Sequence, residues 1–113
     1  MTPEQSTLVD RIRSLLDREG EVREVRMFGG IAFMLRDAMA VNAGKTGDLL
    51  IRVDDSRGPE LVKRDGAEPS IMGEREMGSG WVRVSAHAIA EDEDLAFWVG
   101  EALAHNRRVT GAG

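Results

Sequence analysis

The sequence predicts an α+β fold: a two-layer sandwich in which an N-terminal and a C-terminal helix cover a mostly antiparallel five-stranded sheet. Amphipathic helical spacing marks both ends of the chain, and alternating apolar residues mark the segments between them. The links between these segments are too short for a parallel crossover, which needs about a dozen residues or more. A four-strand meander plus one late strand follow, in the order α-β-β-β-β-α-β-α, within one domain of 113 residues.

The N-terminal helix is predicted from one apolar stripe with start and stop signals around it. Thr2 is a capping residue, Pro3 suits the first turn, and Gly20 ends the helix. The stripe has helical spacing and consists of Leu8, Val9, Ile12, Leu15 and Leu16.

Strand character runs from residue 22 to residue 53. The adjacent Gly29 and Gly30 interrupt it and predict a sharp antiparallel reversal, because glycine supplies positive φ or close backbone approach. Residues 36–37 and 44–47 predict two further turns. The methionines of these strands are expected to fill core space; they are Met27, Met34 and Met39.

The second half of the chain is predicted to hold a short helix that starts at Asp54 or Ser56, a long loop, a late strand and the C-terminal helix. Residues 67–80 show no dominant period, and we expect them to form a mobile loop. Trp81 falls out of phase with the inward-facing valines of the late strand, so it is either an outward interface anchor or is packed under the loop.

The C-terminal helix begins with acidic residues and ends with basic ones, which matches the helix dipole. His105, late in this helix, is interpreted as a surface residue favoured by the same dipole. Residues 110–113 are expected to fray. The apolar stripe consists of Leu95, Trp98, Val99, Ala102 and Leu103.

Composition limits the classes of function. Twenty acidic residues against fifteen Lys and Arg give a net charge of −5, which disfavours free nucleic acid because phosphate binding draws on clustered positive charge. Cysteine is absent, which excludes disulfides and thiol catalysis. The chain shows neither the start of a signal peptide nor an apolar run of about 20 residues, so we expect a cytoplasmic protein that does not enter the membrane.

Two glycine-containing segments resemble parts of functional motifs, but neither has the other residues or the neighbouring elements that its motif requires. Gly44-Lys45-Thr46 resembles the end of a phosphate-binding loop, but Met39 stands where that pattern needs glycine and a strand follows instead of a helix. Gly78-Ser79-Gly80 lacks the first glycine of a nucleophile elbow, because Glu76 occupies that position.

The ionisable residues show no spacing typical of a metal site. His87 and His105 stand eighteen positions apart, after a strand and late in a helix. The acidic residues 91–94 are interpreted as a helix-start feature rather than a cation site. We therefore predict no catalytic residue, no metal and no cofactor.

Five arginines are placed on predicted strands and are interpreted as a solvated outer surface. DNA contact through them is a further hypothesis, which the acidic balance disfavours. These residues are Arg23, Arg26, Arg36, Arg52 and Arg83.

The residues together resemble the N-terminal domain family of the TfoX/Sxy competence regulators. The resemblance implies the α+β fold and, more remotely, a role linked to transcription. The larger competence regulators carry a further C-terminal helical domain, so their full activity is not implied. The matching positions are Met27-Phe28-Gly29-Gly30, Phe33, Asp37-Ala38-Met39, Leu49-Leu50-Ile51-Arg52-Val53 with Asp54-Asp55, Gly66, Pro69, Trp81-Val82-Arg83-Val84, Asp94-Leu95, Trp98 and Ala102-Leu103.

The leading hypothesis is a non-enzymatic module that binds a protein partner, or a second copy of itself, through the sheet face and the Met/Trp region. The alternative is a small-molecule-binding domain or an enzyme with a pocket between residues 67–80 and the sheet. The predicted partner-binding residues are Arg26, Met27, Phe28, Gly29, Gly30, Met72, Met77 and Trp81.

Overall fold

The computed structural model describes the backbone of residues 1–72 and 75–111, and the side chains of these residues except 72, 75 and 76. The predicted α+β class is confirmed. The elements are α1 (Pro3–Leu15), β1 (Val22–Met27), β2 (Gly30–Leu35), β3 (Ala38–Ala43), β4 (Leu49–Arg52), α2 (Gly58–Leu61), β5 (Ala67–Pro69), β6 (Ile71–Met72), β7 (Arg75–Glu76), β8 (Trp81–Val84), a 3₁₀ turn (Ala86–Ile89) and α3 (Asp92–Thr110).

The main sheet has six antiparallel strands in the order β1-β2-β3-β4-β8-β5, not the five that the sequence predicts. The sixth strand, β5, comes from the segment 67–80 that the sequence predicts as a loop, and β6 and β7 form a separate two-stranded hairpin there. Strands of two or three residues are too short to show a period of two, so the sequence carries no visible sign of them.

Both terminal helices form where the apolar stripes predict them. The Thr2 hydroxyl oxygen accepts a hydrogen bond from the backbone N–H of Gln5 at 3.1 Å, which confirms Thr2 as the cap of α1. This helix ends at Leu15, before the predicted stop at Gly20. Helix α3 runs to Thr110, and its cap residue Gly111 has a left-handed φ of 74°. The fraying of residues 110–113 stays a prediction. Residues 112 and 113 lie outside the described part of the chain.

The strand register divides the sheet into a covered face and an open face. The covered face contains the apolar residues that α1 and α3 bury, with Phe33, Leu35, Val41, Leu49, Ile51, Val82 and Val84 all fully buried. Residues alternate between faces along a strand. The pairings therefore place the following residues on the open face: Arg23, Val25, Met27, Ala32, Met34, Met39, Asn42, Leu50, Arg52, Trp81 and Arg83.

The reversal between β1 and β2 is confirmed, but its two glycines have different roles. The central turn residues are Phe28 and Gly29, with φ of 56° and 73°, the left-handed pair that a two-residue hairpin turn requires. Gly30 already belongs to β2, where a Cβ would lie 2.2 Å from the side-chain oxygen of Asn42 and 2.5 Å from the Ala43 carbonyl oxygen.

Asn42 explains why Gly30 must lack a side chain. The buried Asn42 amide extends from β3 across β2 and donates a hydrogen bond of 2.7 Å to the Met27 carbonyl oxygen on β1. This single side chain therefore links three strands beside the turn.

Replacing Gly30 with Ala is expected to lower the free energy of unfolding by roughly 1–3 kcal/mol, because the new Cβ displaces Asn42. Gly29→Ala is expected to cost only about 1 kcal/mol, for its positive φ, since nothing lies within 4 Å of its added Cβ. Urea unfolding measures both values. The helical Gly100→Ala is the control, because its Cβ also meets open space and alanine favours a helix. A Gly30→Ala variant as stable as Gly100→Ala would contradict the crossing by Asn42.

Candidate functional site

The open face is mainly apolar and only partly buried. Met27, Met34 and Met39 lie on it at intermediate exposure, so the prediction that they fill the core is wrong. They share this face with Val25, Leu50 and Trp81. The helices of the described chain pack on the other side of the sheet, because their buried residues join the cluster of the covered face. Flexible thioethers on a partly exposed surface are typical of adaptable contact sites.

An aromatic pair on the open face joins the β1–β2 turn to β8. The rings of Phe28 and Trp81 meet edge to face, with their centroids 5.6 Å apart. The guanidinium of Arg52 lies 5.0 Å from the centroid of the Trp81 ring. The turn between β1 and β2 therefore extends over the sheet as far as β8. The register confirms that Trp81 points away from the covered face, as its phase in the sequence predicts.

The backbone of Phe28 adopts a conformation that is energetically unfavourable for a residue with a bulky side chain. Its φ of 56° is left-handed, and a residue with a bulky side chain pays about 1–2 kcal/mol there. Phe28 is also 43% exposed as a residue. Arg36 and Asp37 share positive φ in the next hairpin, but Arg36 has an evident structural role, since it donates hydrogen bonds to Asn106 at 2.7 Å and Thr110 at 3.0 Å. Arg36 thus lies in a turn and not on a strand.

The arginines of the open face are balanced by neighbouring carboxylates. Arg23 lies 3.6 Å from Asp37, and Arg83 lies 3.5 Å from Asp48. Arg52 lies 3.6 Å from Asp55. Arg26 differs, because it lies on the other side of β1 and forms no ion pair with any described residue. The outer surface is therefore not a continuous basic patch.

The two loop methionines have different positions. The Met77 thioether accepts a hydrogen bond of 3.1 Å from the buried Ser70 hydroxyl, and the Met77 N–H donates to the Ser70 carbonyl oxygen at 2.9 Å. Met77 therefore pairs with Ser70 at the open end of the β6–β7 hairpin, and it is only partly exposed. Met72 lies in β6, and its side chain is outside the described part of the structure.

A cleft of about 700 Å³ lies between the β1–β2 hairpin and the start of α1. It is lined by the five hairpin residues that the sequence singles out, Arg26 to Gly30. Lys45 lies opposite them, and its carbonyl oxygen accepts a hydrogen bond from the Thr2 hydroxyl. Neither Arg26 nor Lys45 forms an ion pair with a described residue, so the cleft contains two uncompensated cations.

A second cleft, of about 450 Å³, is lined by residues of α3 and of the segment after β4. His105 lines this cleft and is only 8% exposed, so the prediction of a surface histidine is wrong. Its Nδ1 atom is buried with no hydrogen-bond partner in the described structure. Burial, together with the nearby Arg52 and Arg108, lowers the pKa of His105 below its ordinary value.

Three other charged side chains that line this second cleft, those of Asp54, Arg57 and Glu101, are bonded within the protein. Arg57 donates to both carboxylate oxygens of Glu101, at 2.9 and 3.2 Å, and this raises the pKa of Arg57. The Ser56 hydroxyl and backbone N–H both donate to the Asp54 carboxylate, which lowers the pKa of Asp54. Within residues 1–72 and 75–111, no three His, Asp or Glu side chains converge as a metal site would require.

Several residues of these sites escape prediction from the sequence. The sequence pattern does not indicate the roles of Asn42 and Lys45, because these roles depend on contacts between segments that are distant in sequence. The position of Leu50 could be predicted from the sequence. It alternates with the buried Leu49 and Ile51 and therefore lies on the open face.

The architecture defines an α+β domain with one helix-covered sheet face and one open face. The family model of the TfoX N-terminal domain matches residues 14–106, which is most of the chain. The chain therefore belongs to the TfoX N-terminal domain family. No curated protein sequence matches it. None of the helices in the described structure is long and apolar enough to cross a membrane.

The buried His105 is expected to make stability depend on pH. Its pKa is lowered in the folded state, so as the pH falls below the ordinary histidine value of 6.5 the unfolded chain gains a proton that the folded chain resists. The free energy of unfolding should therefore decrease as the pH falls through this region, and His105→Gln should reduce that decrease.

Urea unfolding at a series of pH values measures this effect. The control is His87→Gln, because His87 is exposed beside Asp65 and its replacement leaves the burial of His105 unchanged. Equal pH dependence in the wild type and His105→Gln would contradict the buried neutral histidine.

Proposed function

We propose that this chain is a non-enzymatic protein-interaction module that binds an apolar, largely uncharged patch of a partner protein through its open sheet face. The observation that carries the proposal is the Phe28–Trp81 pair, in which a half-exposed ring is held over the sheet by a strained turn. Aromatic anchors dominate the energetics of protein interfaces. Membership of a family that includes competence regulators supports a regulatory partner linked to transcription.

The strain at Phe28 favours a binding role over a purely structural one. An aromatic pair contributes about 0.5–1.5 kcal/mol, and this is similar to the cost of left-handed φ at a bulky residue. The ring therefore adds little net stability to the fold. Strained residues that stability does not explain are typical of functional surfaces.

The charges of the open face favour a protein partner over nucleic acid. Arg23, Arg52 and Arg83 each have a carboxylate within 3.6 Å. A phosphate backbone would have to compete with these carboxylates, whereas an apolar partner surface could cover the paired charges without separating them. Binding should accordingly depend little on salt, in contrast to phosphate binding.

Phe28→Asn is expected to separate binding from stability. Asn-Gly is the preferred pair for this hairpin turn, so the variant should be as stable as the wild type or more so, while its affinity for the partner falls roughly tenfold or more, as for an interface anchor. Trp81→Ala should weaken binding similarly and leave the far-ultraviolet circular dichroism intact.

The experiment immobilises the protein and compares what it retains from native lysate, at low and high salt, for both variants and a control. The control is Val109→Ala, which trims an apolar side chain that is 58% exposed on α3, away from the sheet. A partner bound by the wild type and the control but lost by both variants supports the proposal. Equal retention by all four proteins would contradict it.

A second candidate function is the binding of a small amphipathic anion in the hairpin cleft. Arg26 and Lys45 would pair with a carboxylate or phosphate there, and Met27, Phe28 and Ile31 would contact an apolar portion. The alternative pocket between residues 67–80 and the sheet stays a prediction.

A thermal-shift screen with carboxylates and phosphates tests the cleft, because a ligand that binds only the folded state raises the apparent stability. Lys45→Ala should abolish any shift that arises in this cleft. Arg18→Ala is the control, since Arg18 is exposed and lies outside the cleft. A shift that survives Lys45→Ala would contradict this location.

A further inference from the structure

The two edges of the main sheet differ in how well they are protected from pairing. At one edge, β5 has only three residues and includes Pro69, and short strands with proline are a common protection. At the other edge, β1 has six residues and contains no proline. Within the described part of the chain it pairs only with β2, so its outer side is open to a further strand.

The hairpin turn fixes which backbone groups of β1 are free. With a two-residue turn, Met27 and Gly30 form the hydrogen-bonded pair that closes the hairpin, and hydrogen-bonded and non-bonded pairs alternate from there. The backbone groups of Arg23, Val25 and Met27 therefore bond to β2. Those of Val22, Glu24 and Arg26 point outward.

The side chains of β1 select one register for pairing with a second copy. In a symmetric antiparallel pair, one residue of β1 lies opposite itself across the two-fold axis. Arg23, Glu24 or Arg26 at the axis would bring like charges together, which opposes pairing. Val22 or Met27 at the axis would use only one end of the strand.

Val25 at the axis gives the favourable arrangement. Glu24 then lies opposite the partner's Arg26, and Arg26 lies opposite the partner's Glu24. Both of these residues have free backbone groups, so the same pairs would also exchange main-chain hydrogen bonds. Arg26 forms no ion pair with a described residue of its own chain, and this pairing would give it a carboxylate.

From these observations we infer that β1 is a self-association edge, through which two copies of the chain pair antiparallel about Val25 and form one continuous sheet. The inference is separate from the partner proposed for the open face, because it uses the edge and not the aromatic pair. It also has a consequence for that face. A perpendicular two-fold axis keeps both open faces on the same side, so the dimer presents two Phe28–Trp81 pairs together.

Charge reversal tests the register by sedimentation velocity over a range of concentrations. Arg26→Glu turns both cross-strand pairs from opposite to like charge and should weaken self-association roughly 10- to 30-fold. Glu24→Arg should do the same. An equimolar mixture of the two variants should recover the wild-type affinity, because one variant is acidic at both positions, the other is basic at both, and opposite charges face each other again.

Two controls accompany the mixture. Arg18→Glu makes the same change in net charge as Arg26→Glu, at an exposed position outside β1, and should leave self-association unchanged. Glu24 also pairs with Arg13 at 2.7 Å, so the circular dichroism and unfolding of Glu24→Arg are compared with the wild type. Recovery of self-association in the mixture requires that both variants are folded. It therefore distinguishes charge repulsion in the predicted register from unfolding of the variants.

A wild-type chain that stays monomeric at every concentration would overturn the inference, and so would a dimer that both reversals leave intact. Neither result involves a partner from lysate, so neither would contradict the proposal for the open face. Conversely, loss of partner binding in Phe28→Asn without any change in sedimentation would leave the edge inference standing.

Discussion

The crossing of Asn42 over Gly30 is the contact on which the rest of the structure depends. It joins β3 to the Met27 carbonyl oxygen on β1 at 2.7 Å, and it is possible only because β2 has no side chain at that point. A buried amide without a partner would cost about 1–3 kcal/mol. The crossing therefore adds a side-chain link between β3 and β1 to the backbone pairing that joins β1, β2 and β3.

The position of the β1–β2 hairpin determines two different surfaces, the open face beside Phe28 and the outer edge of β1. The turn positions Phe28 over the open face against Trp81, and the strand before it leaves a charged outer edge. The open face is apolar with balanced charges, whereas the edge is charged and matches itself in one register. In the two proposals, both surfaces would bind by complementarity of shape and charge, and neither would require a reacting group. Two kinds of association can thus coexist on one small domain without competing for the same side chains.

Much of the fold could be predicted because its periods are visible in the sequence. The helical stripes, the cap at Thr2 and the outward phase of Trp81 all follow from spacing alone. The predictions for His105 and Met34 are wrong, although the spacing of these residues in the sequence indicates where they lie. His105 follows Ala102 by three positions and so continues the buried stripe of α3, and Met34 is out of phase with the buried Phe33. Strand β5 and the crossing of Asn42 could not be predicted, because one is too short for a period and the other is a contact between strands.

Amide hydrogen exchange, resolved by residue along β1 at a concentration where the chain is monomeric, tests the central claim most directly. A fixed hairpin at a free sheet edge predicts alternation: the amides of Arg23, Val25 and Met27 exchange slowly, because β2 accepts their hydrogen bonds, while those of Glu24 and Arg26 exchange quickly. Uniformly fast exchange would show that β1 is not held against β2. Uniformly slow exchange in the monomer would show that the edge is already covered. Either result would contradict this account.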